Sequence, residues 1–363
     1  IDLMIIGRIL QGSGAGLVQP LSMGLLFQVF PVEQRGRAMG IFSVGITVAP
    51  TIGPAVGGVL LDAFNWHYVF FMSVPIAVIG IMLAAVFMPA AARKGPLPAF
   101  DWAGLILVIS FISCTLTGLS SGLREGWGAP IIALLFSIAI ISFVAFILWE
   151  LQTQNPILQL RVFFNRKFAA AVVVGMVLSV GLFGSAYIIP LFVQAVQGYS
   201  PTRSGLLLMP SGILMMAMFP IAGRLSDRLP GYQMIVLGLA VFGASCVLMM
   251  QAHTDTPFWV FVVWITIGRI GLATMMPPLT VTAVSTLKPD LLSQGSGALN
   301  FSRQFGGAVG VNVLALILGE RTAFFYDAFT GLQTPDNSAT LHLMSQFSHI
   351  LGQLGWPLEM MPA

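Results

Sequence analysis

The chain has 363 residues, of which 57% are hydrophobic and 8% charged, with a formal net charge of +3. An ordinary soluble domain is about 25% charged, so this composition cannot clothe a water-exposed surface and excludes a soluble globular protein. A charge of +3 over such a length is also too small to point to nucleic acid. In chain order, apolar stretches of about 20 residues, the length that crosses a bilayer as a helix, predict ten spans near 3–29, 38–60, 68–88, 102–122, 130–150, 168–196, 204–222, 232–251, 258–282 and 296–318. Their length and continuity disfavour a membrane barrel, whose strands alternate over about ten residues. The chain opens directly in Ile1-Asp2-Leu3-Met4-Ile5-Ile6 without a basic segment and processing site, as expected of a truncated N-terminus. Cys114 and Cys246 both fall inside apolar runs and read as packing residues, not as a disulfide framework or a metal site.

The 16 Lys and Arg residues sort by side. Arg35, Arg37, Arg93, Lys94, Arg161, Arg166, Lys167, Arg224, Arg228 and Lys288 share one set of connections; Arg124, Arg203 and Arg321 lie opposite, and Arg8, Arg269 and Arg303 fall within spans. Cytoplasmic loops carry the excess of positive charge, so the first set is cytoplasmic and both ends of the chain lie outside.

Residues 45–58 read Gly-Ile-Thr-Val-Ala-Pro-Thr-Ile-Gly-Pro-Ala-Val-Gly-Gly. Gly45, Ala49, Gly53 and Gly57 recur four apart, an expected stripe of backbone contact, since small residues let helices approach in lipid. Pro54 removes a hydrogen-bond donor and bends the segment. The pattern, with Gly58, resembles the antiporter motif of the major facilitator superfamily. Arg8, Gln11, Gly12 and Gly16 look like its fourth-span motif, and Trp66, Phe70 and Pro75 like the entry to its sixth. Gly223-Arg224-Leu225-Ser226-Asp227-Arg228 resembles its cytoplasmic-loop motif, and Gly297, Asn300, Arg303, Gln304, Gly306, Gly307 and Gly310 complete the match. Ser73 and Ala77 stand where a typical member has Asn and Gly. A faint internal repeat, Ile-Gly-Arg at 6–8 and again at 267–269, agrees with duplicated halves.

The resemblance implies an all-α polytopic membrane protein with the major facilitator fold, two pseudo-symmetric helical halves plus two extra linking spans. Because the superfamily begins in the cytoplasm, the parity implies three spans before Ile1 and one after the tail, as in the fourteen-span EmrB/QacA-type drug:proton antiporters. Residues 1–88 would then end the N-terminal half, 89–166 hold the linking spans, 167–318 belong to the C-terminal half, and 319–363 form an extracytoplasmic loop. Leu341, Met344, Phe347, Leu351 and Leu354 make an amphipathic stripe in that tail.

Arg8 is the sharpest single candidate, because a guanidinium in a span needs a cavity or a partner. The resemblance implies proton coupling for Arg8 with Gln11 beside it; snorkelling to the interface is the other reading. None of the acidic residues falls at mid-membrane, and the family's usual proton carrier lies in its first span. Gln19 continues the polar face of Arg8, and Gln194, Asn300 and Gln304 offer polar groups for a substrate cavity. Phe183, Met215, Met216, Met218 and Met276 offer adaptable apolar walls. Asp227 between Arg224 and Arg228 reads as a conformational latch by family resemblance, or as a solvated turn.

The expected function is export of small amphipathic or drug-like compounds in exchange for protons, from an integral position in the cytoplasmic membrane, without cofactor, metal or nucleic acid. An adaptor partner in the cell envelope stays open. Competing readings are export of a defined metabolite such as a siderophore or amino acid, and a non-transporting membrane sensor. An enzyme is disfavoured: Gly118-Leu119-Ser120-Ser121-Gly122 fits a nucleophile elbow but ends a membrane helix with no strand before it, no HExxH pair is present, and no GxxxxGK occurs.

Overall fold

The computed structural model describes residues 2–87, 99–288, 291–330, 341 and 345, and these are overwhelmingly helical. The helices are α1 (Asp2–Val29), α2 (Arg35–Ala63), α3 (Trp66–Phe71), α4 (Ser73–Phe87), α5 (Trp102–Glu125), α6 (Pro130–Gln152), α7 (Arg166–Ala195), α8 (Pro201–Ser226), α9 (Gly231–Met249), α10 (Phe258–Ser285) and α11 (Leu292–Thr330). Each expected span is occupied by helix, with α3 and α4 sharing the one placed at 68–88. They break at Met72; Pro75 has no N–H to offer in the first turn of α4, and Ser73 Oγ donates to Phe70 O at 2.8 Å.

Among the described residues nine helical segments are long and apolar enough to cross a membrane. The segment Trp66–Phe87 counts as one of them, and α1 is not included. Arg8, Gln11, Ser13, Gln19 and five glycines dilute the apolar character of α1. The tail also departs from expectation, because α11 runs for 39 residues to Thr330 where a loop was expected from 319. At 1.5 Å per residue that is about 58 Å, well beyond a hydrocarbon core. The stripe through Met344, Phe347, Leu351 and Leu354 lies outside the described residues, as do Arg93 and Lys94; Leu341 is described and exposed.

Local chemistry starts several helices. Asn165 caps α7 by accepting from Lys167 N at 3.0 Å, while its Nδ2 donates to Thr286 O at 3.1 Å and ties this end to the end of α10. Ser200 accepts from Arg203 N at 3.2 Å ahead of Pro201, whose fixed φ suits the first helical turn of α8. Gly198, at φ 66°, makes the preceding turn in a region that L side chains disfavour.

The buried core centres on α10, whose Phe261, Leu272, Met275 and Leu279 are enclosed, together with Phe168 and Leu178 of α7, Phe219 of α8 and Leu299 of α11. Where α9 meets α10 the backbones touch: a Cβ on Gly238 would lie 2.6 Å from Gly271 O. Glycine supplies the same closeness between α11 and α7, Gly306 facing Met176, and Gly307 facing Phe183. The outside is apolar. Ile79, Ile81, Met82 and Phe87 of α4 and Leu134, Ile140 and Ile141 of α6 stand exposed, a surface stable in lipid and not in water. α5 and α6 pack as a hairpin, with α5 also against α11.

Candidate functional site

Helices α1, α2, α7, α8, α10 and α11 enclose a cavity of about 350 Å³. Gln19, Asn300 and Gln304 line it, with Phe183, Met215 and Met276. Met23 and Met39 also line it, in place of Met216 and Met218. Small hydroxyls, Ser43, Thr47, Thr51, Ser179 and Thr280, dot the wall, and several are satisfied by their own helix: Thr47 Oγ1 donates to Ser43 O at 2.7 Å and Thr280 Oγ1 to Met276 O at 3.0 Å. Flexible thioethers and aromatic faces with few fixed polar groups suit guests of varied shape.

Arg269 and Arg303 face the same cavity. Arg269 is buried, and the stem of Arg303 packs on Gly175, where a Cβ would lie 3.2 Å from Arg303 Cγ. Placing an arginine at mid-span costs about 3 kcal/mol on insertion scales, so open polar space at the guanidinium matters energetically.

Gln194 is placed differently. Its Nε2 donates to Ser204 Oγ at 3.1 Å, joining α7 to α8 away from the cavity wall. Arg8 is exposed on α1, where one guanidinium nitrogen donates to Gln11 Oε1 at 2.8 Å and Cζ sits 4.6 Å over the Phe70 ring. Of the face containing Arg8, Gly12, Ala15 and Gln19, Gln19 alone lines the cavity.

The tightest contact beside the cavity is between α2 and α8, and it uses a face of α2 other than the expected stripe. A Cβ on Gly45, Gly53 or Gly57 would meet no described atom within 4 Å. The touching residues are Gly36, Gly40, Thr51, Ala55 and Gly58 on α2 and Gly205, Gly212 and Gly223 on α8. At 3.6 residues per turn, Gly45 lies about half a turn round the helix from Gly36, so both cannot meet one neighbour. A Cβ on Gly58 would lie 2.6 Å from Pro201 O, and one on Gly40 2.6 Å from Phe219 O. Pro54 joins both features: it lines the cavity, and its carbonyl oxygen is what a Cβ on Gly205 would strike.

Both ends of this antiparallel pair are capped by carboxylates. Asp227 accepts from Gly36 N at 2.8 Å and Arg37 N at 3.0 Å, while Asp62 accepts from Thr202 N at 3.0 Å. A negative group at a helix N-terminus satisfies orphan donors and meets the positive end of the dipole. Arg224 and Arg228 flank Asp227 with exposed side chains. Asp62, Gly36 and Gly40 were not picked out from sequence; Gly36 and Gly40, spaced four apart, were the available signal.

The α5–α6 hairpin holds a second polar feature. Asp101 and Glu150 are buried; Asp101 Oδ1 accepts from Gly104 N at 2.9 Å and Trp149 Nε1 at 2.8 Å, and Glu150 Oε2 from Leu158 N at 3.3 Å. Among the described residues the other oxygens, Asp101 Oδ2 and Glu150 Oε1, have no hydrogen-bond partner, and both point at Gly104. The serine pattern at 118–122 lies within α5, where Ser120 Oγ donates to Thr117 O at 3.2 Å, so it forms helix and not a strand-to-helix elbow.

An apolar multi-helix exterior around a central cavity, beside a helix pair capped at both ends, is the architecture of a polytopic membrane protein. Residues 1–311 match the Major Facilitator Superfamily, and the chain belongs to that family. It is therefore an integral, multi-pass membrane protein of a family of transporters, not of enzymes. It is similar to the MFS-type transporter YhcA of Bacillus subtilis (strain 168), 31% identical over 339 residues that cover 93% of this chain and 64% of that protein. It is also similar to the multidrug transporter protein MdtP of the same organism, 30% identical over 88% of this chain and 59% of that protein. A multidrug resistance protein B homolog of Mycobacterium tuberculosis is 31% identical over 87% of this chain and 59% of its own length. The chain thus spans roughly three fifths of the length of these relatives.

Proposed function

We propose that the protein is a secondary active transporter of the cytoplasmic membrane that exports small amphipathic, drug-like compounds in exchange for protons by alternating access. The cavity carries this reading: methionine, phenylalanine and aliphatic walls with Gln19, Asn300 and Gln304 as polar contacts form a site that binds by shape tolerance, not by a fixed hydrogen-bond code. The names of MdtP and the mycobacterial homolog, both multidrug proteins, point the same way. In this proposal the protein belongs to the fourteen-span branch, with residues 1–88 closing the N-terminal half, 89–166 linking and 167–318 forming the C-terminal half. Arg8 with Gln11 takes part in proton coupling, and Asp227 latches the cytoplasmic ends of α2 and α8 in one conformation.

The test is full-length protein in proteoliposomes with an imposed pH gradient, an amphipathic anionic dye and an amphipathic cationic dye as substrates in turn, and an internal pH indicator. Dye movement that stops on adding a protonophore, with matching proton flux, supports antiport. Dye movement indifferent to the gradient removes proton coupling, and no movement of dye in either condition sinks the export reading.

A further inference from the structure

The charge inside the cavity identifies a substrate class. Among the described residues its lining includes two guanidinium groups, Arg269 from α10 and Arg303 from α11, and no Asp or Glu. Among the described residues neither arginine has a hydrogen-bond or ion-pair partner. Asp62 and Asp227 are committed to the α2–α8 caps and Asp101 and Glu150 to the α5–α6 hairpin, and no other described carboxylate, Glu320 within α11 included, is among the lining residues. Arginine is charged at every accessible pH, and removing such charge from water without a counter-charge is expensive. An anionic guest would supply such a counter-charge within the described cavity.

We infer that the cavity binds amphipathic organic anions, with a carboxylate or sulfonate received by Arg269 and Arg303 and an apolar body held by Phe183, Met215 and Met276. The guanidinium fork gives two parallel N–H donors to a planar or tetrahedral oxyanion. Asn300 and Gln304, on the same helix as Arg303, supply neutral polar groups beside it. A cavity of about 350 Å³ admits a fused-ring compound with one acidic group. This deepens the export reading and rests on it only for the direction of transport, since binding can be measured alone.

The experiment compares naphthalene-2-sulfonate with 2-naphthylmethylammonium, matched in ring and opposite in charge, by equilibrium binding to purified full-length protein and by transport in proteoliposomes. Wild type should bind the sulfonate at least about tenfold more tightly than the ammonium compound, a difference near 1.4 kcal/mol. Arg269→Gln and Arg303→Gln should each erase that preference by weakening the anion alone, and Arg303→Lys should keep much of it. Equal or cation-favouring binding by wild type overturns the inference whatever the variants do, as does sulfonate binding unchanged in both Gln variants. Preferred sulfonate binding without transport of either compound sustains the inference and counts against export.

Discussion

Asp62 and Asp227 stand at opposite ends of the α2–α8 contact, each near the C-terminal end of one helix and each accepting a hydrogen bond from the first turn of the other. The pair is thus fastened reciprocally, with backbone contact at Gly40, Gly58 and Gly205 between the fastenings. The capped ends at Asp227 bring Arg35, Arg37, Arg224 and Arg228 together at one end of the pair.

Asp227→Ala should therefore lower the thermal stability of the full-length protein by about 1–2 kcal/mol, the scale of a charged cap, and Asp227→Asn by less, since an amide oxygen still accepts. Asp62→Ala should act similarly at the other end. Thermal melting followed by size-exclusion chromatography reads both, and unchanged midpoints would show that water replaces the carboxylates without loss.

Neighbouring glycines of α2 should respond oppositely. Gly58→Leu must force α2 from α8, because its Cβ alone would press on the backbone of Pro201 and Thr202, whereas Gly57→Leu points into space free of described atoms. We expect Gly58→Leu to abolish dye export or surface expression and Gly57→Leu to keep most of both. The opposite ranking would place the working contact on the Gly45–Gly57 stripe.

Within the α5–α6 hairpin, a Cβ at Gly104 would lie 2.5 Å from Asp101 Oδ2 and 2.8 Å from Glu150 Oε1. Gly104→Ala should destabilise by about 1–3 kcal/mol, as overpacking generally does. Glu150→Gln removes one of two buried carboxyls that lack partners on one oxygen, and should leave stability equal or higher. A melting series of the three proteins decides; a Gln variant that melts far lower would show that the glutamate is held by interactions of its charge.

Substitutions of glutamine should separate cavity from scaffold. Gln304→Leu and Asn300→Leu should raise the apparent KM for dye several-fold, on the order of 1 kcal/mol for a lost polar contact. Gln194→Leu breaks its bond to Ser204 and should lower stability while leaving KM nearly unchanged. Initial-rate transport across dye concentrations gives the comparison, and a KM effect confined to Gln194 would reverse the assignment.

The helices were legible in the sequence because the requirement behind them is local: a run of apolar residues in lipid must satisfy its own backbone, and the helix does so whatever surrounds it. Proline opens one of them for the same reason, Pro201 at the start of α8, whereas the break at Met72 falls inside the single span expected at 68–88. Family membership was legible too, since the Gly-Pro-x-x-Gly-Gly run and the loop around Asp227 keep their spacing along the chain. The rotation of each helix about its axis was not. A stripe such as Gly45, Gly53 and Gly57 and a second at Gly36, Gly40 and Gly58 both look like contact faces, and hydrophobic periodicity cannot choose between them when lipid and protein interior are equally apolar. Only the tertiary structure decided that α8 takes the second stripe. For the same reason it alone placed Gln194 against Ser204, drew Arg269 and Arg303 from separate helices to one cavity, and paired Asp62 with the far end of α8: these depend on which faces meet across distant segments, a relation that no local pattern encodes.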